Sequence, residues 1–153
     1  MRIGLISDTH GLLRPEAVAF LKGSDHIIHG GDIGSAEILD ALARISPLTA
    51  VRGNNDNADW AGALQEIEWL TFERSTTIYV VHDLAQLDVD PLAAGVRVIV
   101  SGHSHKPAVR EKNGVVYINP GSAGPRRFRL PIAVGELLIE GEKITPRIVE
   151  LGA

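Results

Sequence analysis

Seven side chains of metal-binding type follow one another through the sequence: Asp8 and His10, Asp32, Asn54, His82, then His103 and His105. Aspartate offers hard anionic oxygen, imidazole a neutral nitrogen, and asparagine a neutral carbonyl oxygen. That mixture suits manganese, iron, zinc and related divalent ions. The chain contains no cysteine, which excludes disulfides, thiolate zinc sites and a Cys nucleophile together, so any metal must rest on N and O donors. In Asp8-x-His10 and His103-x-His105 the partners stand two residues apart, and just past a strand end that spacing lets both side chains of one loop turn toward the same point. Each triplet alone is common by chance. Asp32, ahead of Ser35, also suits a helix cap, and Gly53-Asn54-Asn55-Asp56 also suits a plain turn. What carries weight is their joint placement, since all seven fall at or just beyond the end of an apolar run.

Those runs are short and rich in Val and Ile: Ile3 to Ile6, Ile27-Ile28, Leu48 to Val51, Ile78 to Val81 and Val96 to Val100. They predict strands buried on both faces. Pro15 suits a first helical position with Ala17, Val18, Phe20 and Leu21 behind it, and Ser35 suits the cap of a helix carrying Ile38, Leu39, Leu42 and Ile45. The first third therefore predicts βαβαβ and a parallel open sheet, whose ligands sit beyond the strand carboxyl ends. Five loops would deliver the seven donors there. From residue 115 onward, Val115 to Ile118, Ile132 to Ile139 and Ile144 to Val149 predict antiparallel strands, with hairpin-type turns at Asn113-Gly114 and Glu140-Gly141. Leu64 to Phe72 fits either a helix or an alternating strand.

With 153 residues and 44% hydrophobic side chains, a single domain over 1–153 is expected. Fifteen basic residues against nineteen acidic ones provide no broad cationic field, so long nucleic acid is not an expected partner and any attraction for phosphate is local. No apolar run approaches the ~18 residues of a membrane span, and the opening run meets Asp8 too soon for a signal peptide. A soluble cytoplasmic protein is expected, with homo-oligomerisation open.

The ordered set Asp8-x-His10, Gly31-Asp32, Gly53-Asn54-Asn55-Asp56, His82 and Gly102-His103-Ser104-His105 resembles the calcineurin-like metallophosphoesterase superfamily. With Asn119-Pro120-Gly121-Ser122 it is most similar to the small prokaryotic phosphodiesterase branch. The resemblance implies an α/β fold, a four-layer α/β/β/α sandwich with two mixed central sheets. It implies two divalent metal ions, manganese first, with Ni, Zn, Fe or Mg as alternatives. One would be held by Asp8, His10, Asp32 and His105, the other by Asp32, Asn54, His82 and His103, with Asp32 shared. It further implies hydrolysis of a small phosphate ester by a hydroxide bridging the ions, with Asp32, His103 and Asn55 as catalytic residues and Asn55 as a substrate contact. Arg126 is a second expected substrate contact, on the strength of its own guanidinium, which can clamp a phosphate bidentately. The alternatives are a cyclic-nucleotide or oligonucleotide phosphodiesterase, a phosphomonoesterase, or a protein-binding scaffold that has dispensed with catalysis.

Two positions depart from the superfamily pattern. Many members carry His where this chain has Asn55, and Asn delivers no proton at neutral pH, so phosphodiesters with good leaving groups are the expected substrates. Asp83 stands where Gly commonly follows the ligand His, and is read as a turn residue ahead of a partner for an imidazole. His29 is expected to be buried and hydrogen-bonded, and His26 solvated. Arg126, Arg127 and Arg129 form a solvated or subunit-contacting loop from which one arginine reaches substrate. Asn119 and Ser122 are loop-fixing residues, and Trp60 and Trp69 core or interface aromatics.

Overall fold

The apolar runs become strands wherever Val and Ile alternate between two packed surfaces, and their order decides which loops meet. The computed structural model describes residues 1–152. It contains β1 (Arg2–Ile6), α1 (Pro15–Leu21), β2 (His26–His29), α2 (Ala36–Ala43), β3 (Leu48–Ala50), β4 (Ile67–Phe72), β5 (Thr76–Val81), β6 (Val96–Val100), β7 (Ala108–Lys112), β8 (Val115–Asn119), β9 (Ala133–Glu140) and β10 (Lys143–Glu150), with 3₁₀ turns at Asp59–Ala63 and Leu84–Gln86. Two five-stranded sheets result, ordered β10-β9-β1-β2-β3 and β4-β5-β6-β8-β7. Both are mixed: β1, β2 and β3 run parallel, as do β5, β6 and β8, while the outer pairings are antiparallel.

The sheets face each other through Ile3, Leu5, Ile28, Val80, Val98, Val100, Ile118 and Leu137, all buried. The opposite face of the first sheet is covered by α1 and α2, which bring Ala17, Leu21, Ile38 and Leu42 onto Ile6, Ile27 and Val134. Gly4 is what lets α1 approach, since a Cβ there would lie 2.6 Å from Leu21 Cδ2. Arg2 pins the far end of that helix: its guanidinium donates to Phe20 O at 2.6 Å and Lys22 O at 3.1 Å while Nε pairs with buried Glu136 at 2.7 Å. Such a cation satisfies carbonyls that the helix end leaves free. The outer face of the second sheet has a thinner cover, the 3₁₀ turn Leu84–Gln86 and the loop after it, which place Leu84, Leu87 and Val89 on Tyr79, Val81 and Ile99. This is the four-layer α/β/β/α sandwich with two mixed sheets, its fourth layer reduced to a turn and a loop.

Several local expectations need correction. β3 is only half-buried because it lies at a sheet edge. Val115–Asn119 pairs antiparallel with β7 but parallel with β6, so the second half of the chain is not wholly antiparallel. Strand β7 carried no apolar signal, because all five of its residues are exposed. Ile67–Phe72 resolves as a strand, held by six antiparallel pairings to β5. Ser35 occupies the cap position of α2 without making a side-chain capping bond. His26 is half-buried and not fully solvated: Nε2 lies 2.8 Å from Thr49 Oγ1 and the ring meets Phe72 edge-on. Trp60 packs against the helix-side core, whereas Trp69 is 48% exposed with one edge on Tyr79. Among the described residues, no helix is long and apolar enough to cross a membrane.

Candidate metal centre

Strands β1, β2, β5 and β6 end at the same rim, and their loops bring the predicted donors together in two groups. Asp8, His10 and His105 each present a donor atom within 4.8 Å of the others, and so do Asp32, His82 and His103. The groups touch. Asp32 Oδ2 is 3.2 Å from His82 Nε2 and 3.7 Å from His10 Nε2, while Asp8 Oδ1 is 3.4 Å from His105 Nε2 and 3.9 Å from His82 Nε2. Asn54 joins the second group through Oδ1, 3.2 Å from His103 Nδ1. All seven predicted donors thus converge.

The backbone is bent to achieve this. Asp8, His10, Asp32, His103 and His105 have φ of 54°, 44°, 57°, 71° and 63°, in the left-handed region that side-chain-bearing residues rarely enter. Each such residue costs about 1–3 kcal/mol and persists only where its surroundings over-determine it. Here those surroundings are the loops themselves. Gly53 and Gly102 allow two of them to close in, since a Cβ at Gly53 would overlap Asp32 N and one at Gly102 would overlap Ser7 Oγ. Buried Asp56 accepts from Ile33 N at 2.9 Å, Gly34 N at 3.2 Å and Gly53 N at 2.9 Å, tying the Asp32 loop to the Asn54 loop. Sequence reasoning took Asp56 for part of a turn, and no pattern marks an acid in a Gly-Asn-Asn-Asp stretch as buried. Ser7 and Thr9 were missed for a similar reason: Ser7 Oγ donates to Asp8 Oδ2 at 2.7 Å, and Thr9 Oγ1 donates to Ile33 O at 2.8 Å.

The remaining contacts set direction and charge. Asp8 Oδ2 also accepts from His103 N at 3.0 Å, which leaves Oδ1 buried without a hydrogen bond. His82 Nδ1 donates to Gly30 O at 2.7 Å, and its buried Nε2, which has no aligned partner, faces the carboxylates. His29 is buried as expected, 3.0 Å from Thr9 Oγ1, and accepts from Gly31 N at 3.0 Å. Burial, with the charge on His82 adding to it, holds its pKa down at about 3. Burial raises Asp8 above the usual carboxylate range. For Asp32 burial pulls the same way, but His82 and the Asn55 N–H outweigh it and bring the carboxyl to about 2. His105 is lowered to about 4, by burial first and the Arg127 charge second. His82 is raised, because Asp32 and Asp8 outweigh its burial.

Asn55 lies at the site and is already engaged, its N and Nδ2 donating to the two oxygens of Asp32 at 2.9 and 3.1 Å. Asp83 serves the turn reading through Oδ1, which accepts from Ala85 N at 3.0 Å, while Oδ2 lies 3.9 Å from His103 Nε2. Asn119 donates to Gly102 O and Ser122 to Asp8 O, so both fix loops of the centre. Among the described residues, no hydrogen bond or ion pair joins Arg126 to the site, and Arg126, Arg127 and Arg129 are exposed. The donor set fits a divalent cation: unpartnered Asp8 Oδ1 and His82 Nε2 are buried beside imidazole nitrogens, and His10 Nε2 stands 3.2 Å from His105 Nε2.

Comparison with known proteins agrees. A "probable metallophosphoesterase" of Methanothermobacter thermautotrophicus is 37% identical, over 100% of this chain and 94% of that protein. Vacuolar Protein Sorting 29 from Cryptosporidium parvum shares the fold with a TM-score of 0.84 at 22% identity, over 99% of this chain and 91% of the other. A structure described as a novel archaeal phosphodiesterase superposes with a TM-score of 0.79 at 21% identity, over 97% of this chain and 100% of the other. With residues 1–141 matching the calcineurin-like phosphoesterase superfamily domain, and the donor order of that family gathered at one rim, the chain belongs to the calcineurin-like phosphoesterase superfamily.

Proposed function

We propose that this protein hydrolyses small phosphate esters in the cytoplasm, phosphodiesters with good leaving groups above all, at two divalent ions of which manganese is the first candidate. Its family supports a metal-dependent phosphoesterase. The observation that carries the two-ion reading is Asp32 Oδ2, one carboxylate oxygen within 3.7 Å of an imidazole from each donor group. Asp8, His10, Asp32 and His105 would hold one ion, and Asp32, Asn54, His82 and His103 the other. When bound, the pair supplies Lewis acidity toward phosphoryl oxygens and a water acidic enough to attack phosphorus near neutral pH. Two dications against two carboxylates leave a local positive charge inside a chain of net charge −4, which attracts phosphate to this rim alone.

The chain's own residues set the preference among esters. The Asn55 amide steadies Asp32 and has no proton to give a leaving oxygen, so the departing group must be stable as an anion. Arg126 is proposed as a substrate contact from a loop that also brings the Arg127 charge to bear on His105. The test is metal-depleted protein assayed with aryl monoesters, aryl diesters and cyclic nucleotides after adding back Mn, Ni, Zn or Mg singly. Turnover of aryl diesters that depends on added metal is expected, and inertness toward every ester would favour the scaffold. Asn55→His should raise turnover of alkyl diesters relative to aryl diesters, and an unchanged ratio would count against the role given to Asn55.

A further inference from the structure

The thin fourth layer leaves a hollow of about 250 Å³ on the outer face of the second sheet, and one of its walls is His103. Strand register explains its position. Ala108 pairs with Asn119 and Arg110 with Tyr117, so these four side chains stand on one face at the carboxyl end of the sheet. Leu84 from the 3₁₀ turn closes the side. Its volume is just under the ~300–1,000 Å³ of ordinary ligand pockets, room for one ring system and not for a polymer.

The polar atoms of its inner wall are already engaged with each other. Asn119 donates to Gly102 O at 2.9 Å and Ser104 Oγ at 3.1 Å, and accepts from Gly121 N at 2.9 Å; Ser104 Oγ also accepts from Lys106 N at 3.2 Å. What faces an occupant is therefore mainly apolar surface and the Arg110 guanidinium, its Cζ 4.8 Å from the centroid of the Tyr117 ring, with the charged side chains of Asp83 and Lys106 also among the lining residues. A guanidinium plane and an aromatic ring favour a planar π system. A second hollow borders the site beyond Asp83, but its cation, Arg52, is paired with Glu66 at 3.1 Å and its surface is polar.

We propose that the hollow beside His103 receives the aromatic arm of the phosphate ester whose phosphoryl group is held at the two donor groups, so that preferred substrates carry a planar ring on one ester oxygen. The inference rests on the phosphoesterase reading of the metal centre and adds the feature by which substrates are told apart.

Non-hydrolysable phosphonates test it without reference to leaving groups. Manganese-loaded protein is titrated calorimetrically with inorganic phosphate and with methyl-, phenyl- and benzylphosphonate. The better aromatic ligand is expected to bind about tenfold more tightly than methylphosphonate, the scale of burying one ring. Ala108→Trp, at an exposed edge-strand position, fills the hollow and should reduce that ratio to about twofold or less, while phosphate still binds. Arg110→Ala should reduce it part of the way. Equal affinity for methyl and aromatic ligands in the wild type, or an undiminished ratio in Ala108→Trp, overturns the proposal and leaves the phosphoesterase reading standing. Failure of loaded wild type to bind inorganic phosphate overturns both.

Discussion

The Asp8, His10, His105 group and the Asp32, His82, His103 group each combine a buried carboxylate with a buried imidazole, yet they differ in which charge states they favour and in what lies at the rim. In the first, Asp8 and His105 are buried, and burial works against charge on both: the carboxyl is raised and the imidazole lowered to about 4. In the second, the His103 side chain is 45% exposed and Asn54 is exposed, while close pairing favours charge: Asp32 falls to about 2 and His82 rises. A dication entering the enclosed group finds an imidazole already neutral. In the open group the carboxylates favour the charged form of His82, so a proton competes with a dication for it. On that contrast, an ion at the enclosed group is expected to exchange more slowly than one at the open group.

The most forceful way to break this contrast is to remove Asp32, whose Oδ2 lies 3.2 Å from His82 of one group and 3.7 Å from His10 of the other. Asp32→Ala should lower kcat/KM by more than the ~10²–10³-fold that loss of one preorganised donor brings, with bound metal falling in elemental analysis; full activity in the presence of a chelator would end the metal reading. Asp56→Ala unties the loop that carries Asp32 from the loop that carries Asn54. Metal affinity should fall by about 10–100-fold, the range seen when partners of ligands are lost, and stability by about 1–3 kcal/mol as three backbone donors lose their acceptor, measured by calorimetry and denaturant unfolding.

The charge contrast is tested by pH in the metal-free protein. His105 has a folded pKa of about 4 against 6.5 unfolded, so between those values the unfolded chain binds the extra proton. Its contribution is full above pH 6.5 and is lost as pH falls toward 4. His82, whose folded pKa is raised, acts in the opposite sense, with a contribution full below pH 6.5 that is lost as pH rises through its folded value. Imidazole ¹⁵N shifts at pH 5 should therefore show His105 neutral and His82 protonated, and His105→Gln should flatten the acid limb of the stability curve. The smallest effect belongs to Asp83→Ala, which removes a carboxylate 3.9 Å from His103: a loss of less than about tenfold in affinity is expected, at the open group alone. Equal weakening of both ions would show that the groups are not independent.

β1 and β2 were legible because burial demands apolar runs, here Ile3 to Ile6 and Ile27-Ile28, and the parallel order β1-β2-β3 follows from the crossover helices α1 and α2 between those strands. The hairpin turn at Asn113-Gly114 was legible as well, since both residues adopt positive φ. Strand β7 was invisible, because an edge strand exposed on both faces needs no apolar pattern. His26 misled for a related reason, and Ser35, though it sits at the cap position, makes no capping bond: residue type sets what a side chain is able to do, and its neighbours decide what it does.

The kinds of donor, their order and their places at strand ends are properties of the chain, since hydrophobic periodicity dictates where strands stop and polar residues begin. Charge was a matter for the tertiary structure. That Asp8 is raised while Asp32 is lowered depends on how deeply the fold buries Asp8 and on His82 and Asn55 reaching Asp32 from other loops, and the role of Asp56 depends on three N–H groups drawn from two loops. Electrostatic and hydrogen-bond energies act over a few ångströms of space, and spacing along the chain does not say which groups those ångströms will contain.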